Sequence, residues 1–120
     1  MSDLSLWDSE YKFMCVVWEN APVNSGALVE LCQEKLGWKK STTYNAIRKM
    51  SEKGLIKNEN AVVSVVVPKE QVQANESESF VERTFDGSLP SFLASFLGGK
   101  TISESEASFL TALINSHKEE

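Results

Sequence analysis

The hydrophobic period of this chain changes at Gly54, and this change constrains the fold more than any other feature of the sequence. Before Gly54, apolar residues recur at spacings of three and four, which is typical of amphipathic helices. After it, residues 55–58 and 62–67 are largely apolar or β-branched and flank residues 59–61, which predicts a β-hairpin. Three helices followed by a hairpin within about 65 residues is the order of elements in a winged helix.

The three predicted helices each have a start signal, a stop signal and an apolar face. The first covers residues 6–18, with Ser5 as its cap, and ends before Pro22. Its predicted inward residues are Leu6, Trp7, Tyr11, Met14, Cys15 and Trp18. The second begins after Asn24 or Ser25 and ends at Gly37, and its predicted inward residues are Leu28, Leu31, Cys32 and Leu36.

The third helix is predicted from a cap at Ser41 or Thr42 to about Lys53. Gly54 follows it in the position that favours a left-handed backbone. Its inward face is predicted to hold Thr43, Ile47 and Met50. If this helix reads DNA, the outward residues at its start and along its other face are the predicted contacts: Lys39, Lys40, Ser41, Thr42, Tyr44, Asn45, Arg48 and Lys49.

Pro68 marks a predicted boundary between a winged-helix DNA-binding domain at residues 1–68 and a helical domain at residues 69–120. Residues 69–79 contain only Val72 and Ala74 as apolar side chains, so this segment is either a solvated connector or part of an interface. The fold class is therefore mainly α with a small β-hairpin wing.

The second half of the chain is predicted to offer three short helices with strong apolar faces over about 50 residues, a length too small to close a good core alone. A second copy of the chain is the expected partner, since symmetric dimers are the commonest oligomers. The alternative is a monomer whose helices fold back on the first domain. The residues expected to dimerise are Phe80, Phe85, Leu89, Phe92, Leu93, Phe96, Leu97, Phe109, Leu110, Leu113 and Ile114.

The net charge of −5 speaks against a nucleic-acid binder only if the charge is evenly spread, and it is not. Residues 1–69 carry nine basic and eight acidic side chains, whereas residues 70–120 carry three and nine. Within the first part, residues 35–57 hold seven basic side chains against Glu52 alone. This basic segment coincides with the predicted recognition helix.

Residues that would support catalysis, phosphate binding or metal binding are sparse. His117 is the only histidine, there is no phosphate-binding glycine loop, and Cys15 and Cys32 form no C-x-x-C motif and are expected to be free thiols. We therefore expect no enzyme activity, no cofactor and no metal. No signal peptide or membrane span is recognisable, which predicts a cytoplasmic protein.

Four motifs in order resemble the penicillinase repressor (BlaI/MecI/CopY) family. They are W-E-x-x-P-V at 18–23, W-x-x-S-T-x-Y at 38–44, K-G-L-I at 53–56 and F-x-G-S-L at 85–89. The resemblance implies a homodimeric winged-helix repressor that binds palindromic double-stranded DNA operators beside genes for β-lactam resistance or copper handling. It also implies that the C-terminal helices dimerise.

The resemblance further implies relief of repression. Some family members are cleaved at an Asn-Phe bond after a membrane sensor protease signals, and the matching position here is Ser95-Phe96. Copper-responsive members carry a cysteine-rich C-terminal hook, whereas this chain has no cysteine after Cys32. The family's Gly-Arg wing tip is matched by Ala61-Val62, so we expect the wing to contribute packing and little DNA affinity.

A winged helix can also serve as a protein-interaction module without sequence-specific DNA binding. The acidic second half would then dock on a basic partner. Sequence-dependent, salt-sensitive binding to DNA distinguishes the repressor from this alternative.

Overall fold

A computed structural model describes residues 4–119 of the chain and shows a mainly helical protein with one small sheet. The predicted fold class is confirmed. In chain order the elements are α1 (Asp8–Asn20), β1 (Val23–Asn24), α2 (Ser25–Leu36), α3 (Lys40–Glu52), β2 (Ile56–Glu59), β3 (Val62–Val65), α4 (Lys69–Phe85), α5 (Leu89–Leu97) and α6 (Glu104–Ser116).

The chain divides into two compact units, Met1–Phe80 and Val81–Glu120. This division lies within α4, downstream of the boundary that the sequence suggests at Pro68. The boundary at Pro68 divides the chain into a predicted DNA-binding domain and a predicted helical domain, and it stays a prediction.

The sheet of the first unit has the strand order β1-β3-β2, with both pairs antiparallel. The β2–β3 hairpin is the predicted wing, in which Ile56 pairs with Val65 and Glu59 pairs with Val62. The third strand, β1, was not predicted because its two residues are too short for a period-2 pattern. Val23 of β1 pairs with Val63 and closes the sheet against the helices.

The core of the first unit is formed by α1, α2, α3 and the inner face of the sheet. The inward face of α1 is rotated from the predicted one: Phe13, Met14, Val16 and Val17 are buried, whereas Trp7 is 76% exposed. Tyr11, Cys15 and Trp18 are half-buried at the edge of this face. The fully buried or nearly buried apolar residues are Phe13, Met14, Val16, Val17, Leu28, Cys32, Ile47, Met50, Leu55, Ile56, Val63 and Val72.

The helix boundaries of the first unit agree only in part with the predicted signals. Asn24 caps α2 by accepting the Gly26 N–H at 2.8 Å, as predicted. The cap of α1 is Trp7 in place of Ser5, and the cap of α3 is Lys39 in place of Ser41 or Thr42. Both helices thus begin at residues without a conventional capping side chain.

Helix α4 is one continuous helix from Lys69 to Phe85, not a polar segment followed by a separate short helix. Its first turns belong to the first unit, where Val72 is fully buried in the core. The preceding segment is held by Trp18, whose indole Nε1 donates to the Val67 carbonyl at 3.1 Å. The start of α4 is therefore anchored to the winged helix and is not a solvated connector.

The second unit contains the end of α4 together with α5 and α6. Ser88 caps α5 by accepting the Ser91 N–H, and Ser103 caps α6 by accepting the Glu106 N–H at 3.1 Å. From residue 81 to residue 119, no side chain is buried. The apolar faces of this unit therefore lack a core of their own.

Within residues 4–119, none of the helices combines the length and apolar character needed to cross a lipid bilayer.

The wing turn holds two residues that are not glycine in the left-handed region, Asn60 at φ 54° and Ala61 at φ 62°. Two consecutive positive φ values are typical of the two-residue turn that matches the twist of a hairpin. Ala61 is further fixed because its carbonyl accepts the Ser25 N–H at 2.8 Å. An alanine in this region is strained, whereas a glycine is not.

We expect Ala61→Gly to raise the free energy of unfolding by about 1 kcal/mol, because glycine removes the left-handed strain. As a matched reversal, Gly37→Ala should lower it by about 1 kcal/mol, since φ at Gly37 is 69° and a methyl group there would contact nothing. Urea unfolding of both variants, followed by circular dichroism, measures the two values. Shifts of the same sign in both would contradict the argument.

Candidate nucleic-acid interface

The turn between α2 and α3 is fixed by a helix stop and by a ring contact. Gly37 adopts φ 69° and donates its N–H to the Gln33 carbonyl at 3.1 Å, while the Trp38 N–H donates to the Cys32 carbonyl at 3.3 Å. The Trp38 ring stacks on Phe13 of α1, with centroids 5.8 Å apart and planes 6° apart. Helix α3 therefore begins at a defined position relative to α1 and α2.

The inward face of α3 is the predicted one, with Thr43, Ile47 and Met50 all buried. Thr43 lies beside Cys32 of α2. Burial raises the pKa of the Cys32 thiol, and the neighbouring Thr43 hydroxyl acts in the opposite direction. Cys32 therefore packs as a neutral thiol, and both it and the half-buried Cys15 are free.

The outward face of α3 and its cap carry all eight residues that the sequence predicts as DNA contacts. Every one of them is exposed, and they follow one another along a single helix and the residue that precedes it. They are Lys39, Lys40, Ser41, Thr42, Tyr44, Asn45, Arg48 and Lys49.

The N-terminus of α3 is an open set of backbone donors. Its cap residue is Lys39, and among the described residues no side chain accepts from the N–H groups of the first turn as a cap. These groups and the positive end of the helix dipole favour an anion such as a phosphate. Lys39 and Lys40 stand at the same end of the helix and add two positive charges.

The cations of the basic segment differ in their surroundings. Lys40 Nζ lies 6.0 Å from the centroid of the Tyr44 ring, and Arg48 Nη1 lies 3.5 Å from Glu52 Oε1 one turn further on. Lys35 Nζ is 3.6 Å from Glu19 Oε2. Both ion pairs are solvent-exposed and hold their cations weakly.

Lys53, which directly follows the last residue of α3, is turned inward. Its Nζ donates to the Ser5 carbonyl at 2.9 Å and lies 3.4 Å from Glu10 Oε1, whose side chain is only 11% exposed. The sequence counted Lys53 in the basic segment, but this lysine neutralises a buried carboxylate. The sequence signals only the inward position of Glu10, which stands three and four residues before the apolar Phe13 and Met14, and it does not signal that Lys53 is the partner of this carboxylate.

The wing presents an outward face with little positive charge. Lys57 lies opposite Ser64 and Glu59 lies opposite Val62, so one cation and one anion share this face. Val62 and Val66 are exposed on it. In the described residues, the turn at Asn60 and Ala61 bears no cation.

Across residues 4–119, no three histidine, cysteine, aspartate or glutamate side chains converge in a way that could hold a metal ion. The His117 ring follows α6, and its Nδ1 lies 3.0 Å from the Leu113 carbonyl and 3.1 Å from Ser116 Oγ.

Comparison with known proteins identifies the family of this chain. The chain is 28% identical over 110 residues to an uncharacterized 16.5 kDa protein in the ptsI 3′ region of Latilactobacillus sakei, a match covering 88% of this chain and 75% of that protein. It is 23% identical over 116 residues to a penicillinase repressor of Bacillus licheniformis, covering 92% of this chain and 90% of that protein. Residues 6–116 match the sequence profile of the penicillinase repressor family, so the chain belongs to that family of transcriptional repressors.

Proposed function

We propose that this protein is a homodimeric repressor that occupies a palindromic double-stranded DNA operator and reads each half-site with α3. The observation that supports this most strongly is the outward face of α3, where eight consecutive or nearly consecutive polar and basic side chains are exposed beside an uncapped helix N-terminus. A helix of this kind fits the major groove with its N-terminal residues at the base edges.

The side chains of α3 divide by chemistry into two groups. Asn45 can pair bidentately with adenine, and Arg48 or Lys49 can pair with guanine or phosphate. Thr42 offers a methyl group and a hydroxyl to a thymine methyl or a phosphate. Lys39 and Lys40, at the helix N-terminus, are suited to clamp phosphates and set the register.

The Arg48–Glu52 pair does not prevent Arg48 from binding DNA. Both side chains are more than 60% exposed, so the pair contributes little in water. A phosphate or a guanine edge offers Arg48 charge-assisted hydrogen bonds of better geometry. Glu52 would then lie at the end of the contact between α3 and DNA, where its negative charge disfavours closer approach of the DNA phosphate backbone.

Lys49→Ala is expected to flatten the salt dependence of operator binding. If each head of the dimer loses one phosphate contact, the slope of log K against log salt should fall in magnitude by about two. Lys12→Ala, which removes an exposed cation from α1, is the matched control and should leave the slope unchanged. Fluorescence anisotropy with labelled DNA at several salt concentrations gives the slopes.

An unchanged slope for Lys49→Ala would show that this residue neutralises no phosphate. The protein-interaction alternative predicts a different result for the unaltered protein in a mobility assay. It predicts no salt-sensitive, sequence-dependent shift of the protein's own upstream DNA, and that result would reject the repressor. The uncharged wing tip is the observation that favours this alternative.

Dimerisation is supported by the apolar surface of the second unit. Phe109 is 69% exposed, and Leu89, Phe96 and Ile114 are each more than half exposed. A row of rings runs from Phe85 through Phe92 to Phe96, with centroids 5.5 and 6.0 Å apart. Contiguous apolar surface of this kind marks a protein-protein interface. We propose that Phe80, Phe85, Leu89, Phe92, Leu93, Phe96, Leu97, Phe109, Leu110, Leu113 and Ile114 form it with a second copy.

Phe109→Asp is expected to convert the dimer to a monomer and to weaken operator binding by roughly 100-fold, because the second head loses its effective concentration. Ser108→Asp adds the same charge at the adjacent exposed position of α6 and should leave both properties nearly unchanged. Sedimentation velocity measures the assembly, and anisotropy measures the affinity. A Phe109→Asp protein that stays dimeric would contradict this role of the α6 face.

The wing gives a gain-of-contact test. We propose that it packs beside the DNA and adds little affinity, so Val62→Arg should strengthen binding and steepen the salt slope by about one per head. The exposed Val62→Gln is the neutral control and should match the unaltered protein. If Val62→Arg leaves the salt slope of DNA binding unchanged, the wing lies away from the DNA backbone.

We also propose that repression ends when the second unit is disrupted. The resemblance to a penicillinase repressor suggests genes of antibiotic resistance as targets and a membrane sensor protease pathway as the source of the signal. Ser95-Phe96 is the proposed cleavage point. It lies within α5, and Lys100 Nζ donates to the Phe96 carbonyl at 2.8 Å, so α5 must unwind before a protease can bind this bond in extended form.

A further inference from the structure

The buried carboxylate of Glu10 organises the N-terminal end of the first unit. Glu10 lies on the inward face of α1 and is 9% exposed. A carboxylate in such a position is costly unless it is paired and hydrogen-bonded. Its Oε1 accepts the Trp7 N–H at 2.9 Å and lies 3.4 Å from Lys53 Nζ.

Lys53 joins the end of α3 to the residues that precede α1. It is the C-cap residue of α3, and its Nζ donates to the Ser5 carbonyl at 2.9 Å in addition to pairing with Glu10. We call residues 4–7 the N-terminal strap. Through Lys53 and Glu10, the strap is attached to the end of the proposed recognition helix.

The same strap is attached to α4 on its other side. The Leu6 N–H donates to Glu76 Oε1 at 3.1 Å. One turn earlier on α4, Gln73 Nε2 donates to the Tyr11 hydroxyl of α1 at 3.3 Å. Polar contacts therefore connect α3 to α4 by way of the strap and α1, all within the first compact unit.

These contacts supply a restraint that the core does not. Val72 is the one residue of α4 that is buried. A single apolar side chain fixes a point of contact but leaves a helix free to pivot about it. The bonds at Gln73 and Glu76 lie further along α4 and remove this freedom.

We propose that the N-terminal strap sets the angle between α3 and α4, and thereby the spacing between operator half-sites that the dimer accepts. Glu10, Lys53 and Glu76 are then positioning residues and not DNA contacts. The inference rests on the proposed function, since α4 leads from the DNA-binding head into the unit proposed to dimerise. Inserting one base pair between half-sites rotates them by about 35° about the DNA axis, so a rigid angle gives a strict spacing preference.

The test compares spacing preference in the full-length protein and its variants. Inverted repeats that bind the unaltered protein are first selected from randomised duplexes. Affinity is then measured for the selected spacing and for spacings changed by one and two base pairs. Glu76→Ala and Lys53→Met should each lower the ratio of affinities between the selected and the altered spacings by roughly threefold or more.

Glu78→Ala is the matched control, because it removes the same charge from an exposed position of the same helix and should keep the full ratio. Glu76→Gln retains an oxygen that can accept the Leu6 N–H and should also keep it. Lys53→Met should leave the salt slope of DNA binding unchanged. If Lys53 instead contacted a phosphate directly, this substitution would lower the slope. Thermal unfolding verifies the fold of each variant, and Lys53→Met tests the strap independently where Glu76→Ala does not fold.

Three negative results are distinguishable, two that overturn the strap and one that overturns the proposed function. If the unaltered protein prefers one spacing and both Glu76→Ala and Lys53→Met keep that preference in full, the strap does not set it. If Glu76→Gln lowers the ratio of affinities between spacings as much as Glu76→Ala does, the hydrogen bond from the Leu6 N–H to residue 76 does not set the preference, and the proposal is likewise overturned. If no inverted repeat is selected by the unaltered protein, the proposed repressor function itself fails.

Discussion

The burial of Thr43, Ile47 and Met50 fixes the rotation of α3, and the rest of the first unit depends on it. With three inward positions determined, the helical period assigns every other side chain of α3 to a direction. The wing follows from the same placement, since the Leu55 N–H donates to the Met50 carbonyl at 3.0 Å as the chain leaves the helix. A looser core at these three positions would rotate the basic residues and displace the hairpin together.

Among the described residues, the distribution of charge favours α3 as the proposed DNA-binding surface. Of the seven basic residues between 35 and 57, Lys53 is used to neutralise a buried carboxylate, and two others pair with exposed glutamates. Of the four cations that remain, Lys39, Lys40 and Lys49 lie at the start and along the outer face of α3, and Lys57 lies on the wing. Residues 70–120 carry an excess of acidic side chains. A net negative protein can therefore bind DNA through a small positive face while its other surfaces disfavour non-specific contact.

Local signals in the sequence were sufficient for most of the fold, and long-range contacts were required for the remainder. Asn24 and Gly37 each mark an end of α2 through the backbone beside them, so these boundaries were predictable. Strand β1 has only two residues, and its existence depends on Val63 elsewhere in the chain. The inward role of Lys53 was not predicted because its partner, Glu10, lies 43 positions away. The exposed face of α3 follows from its period, but which base each side chain reads does not.

The second unit explains why disruption of the proposed dimer interface would be an efficient way to end the proposed repression. From residue 81 to residue 119 no side chain is buried, so its helices gain little stability from contacts within one chain. In the proposed dimer, most of the apolar burial that orders α5 and α6 comes from the partner. Folding of this unit and association of the two copies are then one coupled equilibrium. In the proposed dimer, a cut or a ligand that destabilises α5 need not touch the DNA-binding heads. Separating the heads removes the effective concentration with which the second head engages its half-site, and this lowers the overall affinity for the operator.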